Sequence, residues 1–322
     1  MANCLTTPVT FIVFNRPERT AEVFAAIRAA RPSQLFVIAD GPRANMEADA
    51  SKCAAVRAVI AGVDWPCQVR RCFSDANIGL RRNISEGLDW VFDQVERAII
   101  LEDDCLPHPS FFPFCEELLN HYAEDRQIAM ISGTNFDPAH LAPSGDESYY
   151  FSRFCHIWGW ATWRRAWKLC DHEMKEWPPL RRTNWLRDRW GSATAENFWR
   201  RHFDDSCAGR PDSLNTWDVP WQFTCWRHDL LTIVPKSNLV TNLGFGSDSA
   251  HTRVNTRAAQ LPTNPIRFPL QHPKEKKVNA AADAYVQENF CEGITPWQRL
   301  YWKLCLPLPI WLVRRALRWL GR

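Results

Sequence analysis

Ala98-Ile99-Ile100-Leu101-Glu102-Asp103-Asp104-Cys105 runs four apolar residues straight into three consecutive carboxylates. A short apolar run of this kind fits a strand buried on both faces, as in a parallel sheet. Three adjacent acids cannot continue into a dry core, because unpaired buried charge is too costly. The strand is therefore expected to surface at its C-terminal end, the edge where open α/β sheets bind their ligands. Carboxylates gathered there suit a hard divalent cation, Mn²⁺ or Mg²⁺, which takes oxygen ligands and a substrate phosphate together. The plainer reading is an acidic strand-end loop, or an N-cap for the next helix.

Upstream the pattern repeats. Val9 to Phe14 and Leu35 to Ala39 read as two more buried strands, closed by Asn15-Arg16-Pro17 and Asp40-Gly41-Pro42. A helix from Glu18 to Ala30 joins them, with Val23, Ala26 and Ile27 on one face. Strand, helix, strand at this spacing makes a βαβ unit and a parallel sheet. A helix over Met46 to Ala61 and a strand over Gln68 to Phe73 follow. The next helix runs to about Val95, with an apolar face of Leu80, Ile84, Leu88, Val91, Phe92 and Val95. Beyond the acidic strand, Ser110 can cap a helix through Tyr122, and Ile128 to Ser132 reads as one more strand. The expected class is α/β, with a mostly parallel central sheet and flanking helices.

After Tyr149 the chain changes character. Most of its seventeen tryptophans are interleaved here with arginine, as in Trp158-Gly159-Trp160-Ala161-Thr162-Trp163-Arg164-Arg165-Ala166-Trp167. Such mixtures can stack on sugar rings or bases, although core packing accounts for most tryptophans. Residues 175–215 read as a helical insertion. Thr216-Trp217-Asp218-Val219-Pro220-Trp221 precedes a helix, and Leu230 to Pro235 returns as a strand. Asn242 to Thr252 is a Gly/Ser/Asn loop containing His251, suited to an active-site lid. The expected division is one domain over 1–255, an extended wrap with a short helix over 256–296, and a basic tail over 297–322.

A chain of 322 residues can bury a sizeable core. Its net charge of +3 comes from the tail, where Arg299, Lys303, Arg314, Arg315, Arg318 and Arg322 meet no acid. Without those six, 33 of the 39 basic residues stand against 36 acidic ones, so the body lacks the charge of a nucleic-acid binder. From Ile310, at about 100° per residue, the four arginines fall in one wedge. Leu312, Val313, Ala316, Leu317, Trp319 and Leu320 take the other side. The ten uncharged residues between Lys303 and Arg314 are too few to span a bilayer. The tail is therefore expected to lie on an anionic membrane surface, or else to dock on protein. Twelve cysteines, with no signal peptide before Thr7, read as reduced cytosolic thiols. The expected location is cytoplasmic, peripheral on the inner face of the cell membrane.

Taken in order, these pieces resemble GT-A glycosyltransferases related to the N-acetylglucosaminyltransferase I family, and bacterial proteins of that type from surface-polysaccharide loci. The pieces are Phe14-Asn15-Arg16, Asp40-Gly41, Ile100-Leu101-Glu102-Asp103-Asp104 with Pro109-Ser110-Phe111-Phe112, Gly159-Trp160, Trp217-Asp218, and Gly244-Phe245-Gly246 to His251. They cover roughly Pro8 to Thr252. The resemblance implies that Arg16 and Asp40 hold the base and phosphates of a nucleotide-diphosphate sugar, with UDP as the nucleotide. It implies Asp104 as the direct metal ligand, Asp103 near the ribose or a metal water, and Glu102 near the sugar. His251 would belong to a loop over the diphosphate. Asp218 would be the base of an inverting transfer to a glycan or lipid-linked acceptor. The chain departs from the animal family in the long insertion before Trp217, and in having one acid, not two, between Trp217 and Trp221.

Each residue keeps a second reading. Arg16 and Asp40 can pair with each other or cap turns, Asp218 can cap the helix after Pro220, and His251 can be an ordinary loop histidine. Asp204 and Asp205 are the next acids available as a base. A sugar nucleotidyltransferase is the rival enzyme, disfavoured because Asn15-Arg16-Pro17-Glu18-Arg19 contains no glycine. The rival outside enzymes is a non-catalytic sugar- or membrane-binding protein that uses the Trp/Arg region and the tail.

Overall fold

The computed structural model describes residues 4–136, 145–208, 216–244 and 261–291. The first half alternates as expected: β1 (Val9–Val13), α1 (Pro17–Ala30), β2 (Gln34–Ala39), α2 (Glu47–Ala61), β3 (Gln68–Phe73), α3 (Leu80–Phe92) and β4 (Arg97–Glu102). Pro17 opens α1 at its first position, where a missing N–H costs nothing. The helix expected to reach Val95 stops at Phe92. These strands lie in the order β3-β2-β1-β4, all parallel.

Next come β5 (Cys105–Pro107), α4 (Phe111–His121), β6 (Ile128–Ser132), β7 (Tyr149–Ser152), β8 (Trp160–Trp163) and α5 (Arg164–Trp167). Three helices follow in the insertion: α6 (Trp177–Leu180), α7 (Trp185–Trp190) and α8 (Ala193–Ala208). The described chain closes with α9 (Asp218–Arg227), β9 (Leu231–Pro235), β10 (Val240–Asn242) and α10 (Ala280–Val286), which runs on as a π-helix, Gln287–Cys291. β8 pairs antiparallel with both β4 and β6, β6 parallel with β9, and β7 antiparallel with β9. An eight-stranded sheet results, β3-β2-β1-β4-β8-β6-β9-β7, with β10 and β5 as a separate antiparallel ribbon.

The architecture is thus mixed α/β, a large central sheet with flanking helices. β7 and β8 are the antiparallel additions, both absent from the reading of the sequence. Side chains of successive strand residues point to opposite faces, and this sorts the core. Val9, Phe11, Ile99 and Leu101 pack with Val23, Ile27, Phe114 and Leu118 on one face. Ile12, Ile38 and Ile100 meet Ile84, Leu88, Trp160, Trp167 and Trp221 on the other. The insertion forms its own cluster around Trp177, Trp199, Phe203 and Trp226. Residues 261–277 carry no helix or strand. They are fastened where Asn264 donates to Asn238, Ile266 to Ser110, and Gln271 to Ser148.

The end of the insertion (209–215), His251 and the basic tail lie outside the described residues. Among the described residues no helix is long and apolar enough to cross a membrane, and every described cysteine is a free thiol.

Candidate functional site

Strand register brings the candidate residues together. Ile12 of β1 pairs with Glu102 of β4, and Val13 with Ala39 of β2, so the ends of all three strands share one edge. Arg16 follows β1, Asp40 follows β2, and Asp103 and Asp104 follow β4. Arg16 bridges the two aspartates: Nη1 donates to Asp104 Oδ2 at 2.7 Å, and Nη2 lies 3.1 Å from Asp103 Oδ1. The Phe14 N–H donates to Asp103 Oδ2 at 3.4 Å. Burial alone would lower the pKa of Arg16, but Asp103 and Asp104 more than reverse that, and it is raised. Burial raises the pKa of Glu102, and the charges of Asp104 and Asp103 add to it against the pull of Arg16. Asp103 is raised by burial as well, with Arg16 opposing and Asp104 reinforcing the shift. One guanidinium therefore does not balance three carboxylates.

Arg16 and Asp40 do not pair. Asp40 is buried, and its carboxylate accepts from Gly41 N, Ile78 N, Gly79 N and Asn77 Nδ2 at 2.8–3.1 Å. It braces the turn between β3 and α3, so its sequence-expected place at the strand tip stands while its side chain is occupied within the protein. Beside it, Asp49 takes Arg43 and Asn15, which holds the loop after β1.

Asp104 is also bounded from above. The Leu243 N–H donates to the Asp104 carbonyl at 2.7 Å, continuing the ribbon of β5 and β10. Gly244 follows directly, and a Cβ built there would stand 2.4 Å from Asp104 Oδ2. A side chain at this position would have to displace the carboxylate.

Asp218 opens α9, and no side chain caps that helix start. The N-cap position is Trp217, and Asp218 places its acid in the first turn, where a carboxylate suits the helix dipole. Trp217 stacks on Trp160 of β8 with centroids 5.4 Å apart and planes at 17°. Gly159-Trp160 and Trp217-Asp218, separate pieces in the sequence, are thus one contact that sets Asp218 beside the sheet edge. Its charge reaches Glu102 and adds to the upward shift there. Asp204 is held by Trp177 and Arg181.

Asp218 also lines a cavity of about 280 Å³ between the sheet edge, the insertion and the π-helix. His156 and Thr216 line it too, and neither was singled out from the sequence. A lone histidine in an aromatic run has no spacing that would mark it.

Among the described residues no three His, Cys, Asp or Glu side chains converge in a metal-holding group. Mg²⁺ takes one or two carboxylates and completes its shell with water and substrate phosphate. The donors here are carboxylate oxygens only. Asp104, the more exposed of the bridged pair, fits as the ligand.

No protein-family model and no curated protein matches the chain. Among solved structures it is similar to the mannosyltransferase PcManGT from Pyrobaculum calidifontis, in complex with GDP-Man and Mn²⁺. The identity is 12% over 68% of this chain and 69% of that one, with a TM-score of 0.37. It is also similar to UDP-glucose pyrophosphorylase complexed with UDP-glucose, at 10% identity over 71% of this chain and 90% of that one, with a TM-score of 0.33. Likenesses this slight say nothing of activity.

Proposed function

We propose that the chain is a GT-A-like glycosyltransferase. It would move a sugar, with inversion, from a nucleotide-diphosphate donor to a hydroxyl of a glycan or lipid-linked acceptor. One observation carries the reading: Arg16, Asp103 and Asp104 meet at a single strand edge, with Asp218 near enough for its charge to reach Glu102.

A nucleoside diphosphate leaves only if its growing negative charge is neutralised. A divalent cation held by Asp104, Mn²⁺ or Mg²⁺, supplies that neutralisation as a Lewis acid when bound. Arg16 spends two of its five N–H donors on carboxylates, leaving the others for the diphosphate. Asp103 faces the ribose, and Glu102 accepts from a hydroxyl of the donor sugar. Asp40 acts through the turn it braces, which shapes the nucleotide side of the edge. An acceptor hydroxyl is a poor nucleophile, and Asp218 takes its proton from the opposite face of the donor sugar.

The test combines turnover with binding. Nucleotide sugars are incubated with the protein, Mn²⁺ and glycan acceptors, and nucleoside diphosphate release is followed. A thermal-shift panel of nucleoside diphosphates is run with and without Mn²⁺, since a ligand of the folded state raises its melting temperature. Release from one donor and a Mn²⁺-dependent shift are expected, and both should vanish in Asp104→Asn. A nucleotidyltransferase would instead liberate pyrophosphate from a nucleoside triphosphate, and a non-catalytic binder would release neither product. An unchanged Mn²⁺-dependent shift in Asp104→Asn rejects Asp104 as the ligand.

A further inference from the structure

Residues 261–277 have no helix or strand to hold them, and they lead to α10. Ile266 and Leu270 anchor them in the core, and a few hydrogen bonds do the rest. Gln271 N–H donates to Ser148 Oγ at 2.9 Å, and Ser148 N–H to the Gln271 carbonyl at 2.8 Å. The next residue, His272, stacks on His121 at the end of α4, with centroids 3.9 Å apart and planes at 7°. Its Nδ1 lies 2.9 Å from the Tyr149 hydroxyl on β7, and that hydroxyl lies 2.7 Å from the one on Tyr122. One side chain thus ties the segment to α4 and β7 together.

The hydrogens in this chain have a direction. Glu117 Oε1 lies 3.7 Å from His272 Nε2, and a carboxylate only accepts, so the neutral ring keeps its hydrogen on Nε2. Nδ1 then accepts from Tyr149, and Tyr149 from Tyr122. A proton added at Nδ1 reverses the order: Nδ1 donates to Tyr149, Tyr149 to Tyr122, and the Tyr122 hydrogen is left over. Tyr122 is 7% exposed, and among the described residues its hydroxyl has no partner besides Tyr149. A buried donor without an acceptor is costly. The charges facing His272 are divided. Burial and the His121 ring oppose a positive charge there, Glu117 favours it, and the net effect lowers the His272 pKa. Tyr149 and Tyr122 stay neutral, since burial raises the pKa of both. Lys276, the other fastening on this stretch, is engaged by Asp125 and Gln127.

We propose that the stacked pair of His121 and His272 is an acid-sensitive latch, holding residues 270–277 on α4 and β7 while both rings are neutral and releasing them when His272 takes a proton. The closed segment binds fewer protons than the open one. The latch is therefore at full strength above about pH 6.5, the ordinary histidine value, and weakens as pH falls through it. Release ends before α10, where Asp283 accepts from Ser152 Oγ and burial lifts its pKa to about 6, a shift that strengthens this anchor in acid. None of this depends on the reading of the chain as a glycosyltransferase.

The test is hydrogen exchange at the Gln271 amide of the full chain between about pH 7.5 and 5, corrected for the intrinsic rate at each pH. Its opening constant should rise by up to about tenfold per pH unit below about pH 6.5, while the amides of β1 and β4 hold. His272→Phe keeps a ring for the stack and takes no proton, so its opening constant should not vary with pH. His121→Phe removes the opposing imidazole at an exposed position, so the rise should be shallower. If His272→Phe frees the segment at every pH, His121→Phe decides. The ring signal of His272, followed by NMR, should titrate below the ordinary value in the parent. Four results overturn the latch: pH-independent opening in the parent, the parent's slope in either variant, the same slope in β1 and β4, or a His272 ring that titrates at or above the ordinary value.

Discussion

Asparagine in place of Asp218 keeps the side-chain shape and removes the proton acceptor. Turnover by Asp218→Asn should therefore fall by about 10²–10⁴, while nucleotide affinity holds, because the loss lies in the transition state. Near-normal turnover would transfer the role to Asp205, since Asp204 is committed to Trp177 and Arg181. Gly244→Ala tests the acidic tip from the other side. The added methyl would meet Asp104 Oδ2, which Arg16 holds in place, so the carboxylate must shift. Small displacements of a positioned group are costly, and the Mn²⁺-dependent affinity for nucleoside diphosphate should drop about tenfold or more, as titrated by thermal shift. An unchanged affinity would mean that Asp104 does not contact the metal. At this scale the sequence showed which residues reach the edge, because an acid or arginine after an apolar strand has nowhere else to go. It did not show who pairs with whom. Asp40 is consumed by residues almost forty positions later.

Strands β1, β2, β4 and β6 were legible because each is an apolar run, and local pattern suffices for those, whereas the short β5 was not read as a strand. β8 was not, because Trp160-Ala161-Thr162-Trp163 looks like a ligand-stacking aromatic run. Its strand character comes from pairing on both sides, with Ile100 and Ser132 each opposite Trp160. The turn before it needs Gly159, whose φ of +65° is strained for any residue with a Cβ. The stack of Trp160 on Trp217 then makes β8 the support for α9. The fastening of α10 is also non-local and depends on pH. Asp283 is 2% exposed and accepts from Ser152 Oγ and the Arg153 N–H, and burial still lifts its pKa to about 6. The unfolded value is about 3.9, so between roughly pH 4 and 6 the folded state binds more protons than the unfolded one. Its contribution is therefore greatest at the acid end and falls as pH rises through that window, by up to about 3 kcal/mol, then stays level. Asp283→Asn should abolish this fall, seen as a flatter dependence of the urea midpoint on pH. Equal slopes for variant and parent would show that Asp283 is not the group that titrates.

Across the whole molecule, the sheet gathers the charged chemistry at one edge and leaves the excess positive charge in the tail. The first arrangement was legible only in its parallel half, since the order β4-β8-β6-β9-β7 depends on antiparallel partners that no local pattern announces. The second is a matter of composition and needs no fold. The tail lies outside the described residues, so its role is argued from sequence alone: arginines at 314, 315, 318 and 322 against an apolar side with Trp319. Each basic residue near an anionic surface contributes about 1 kcal/mol, a share that salt screens, while apolar insertion persists. Full-length protein should therefore pellet with vesicles containing anionic lipid, less so at high salt and not with neutral vesicles. Removal of residues 310–322 should leave it in the supernatant, with transfer to a water-soluble acceptor retained. If the shortened chain stays soluble but loses that transfer, the tail is packing on the catalytic body. If the full chain never binds anionic vesicles, docking on protein replaces the membrane as the tail's role.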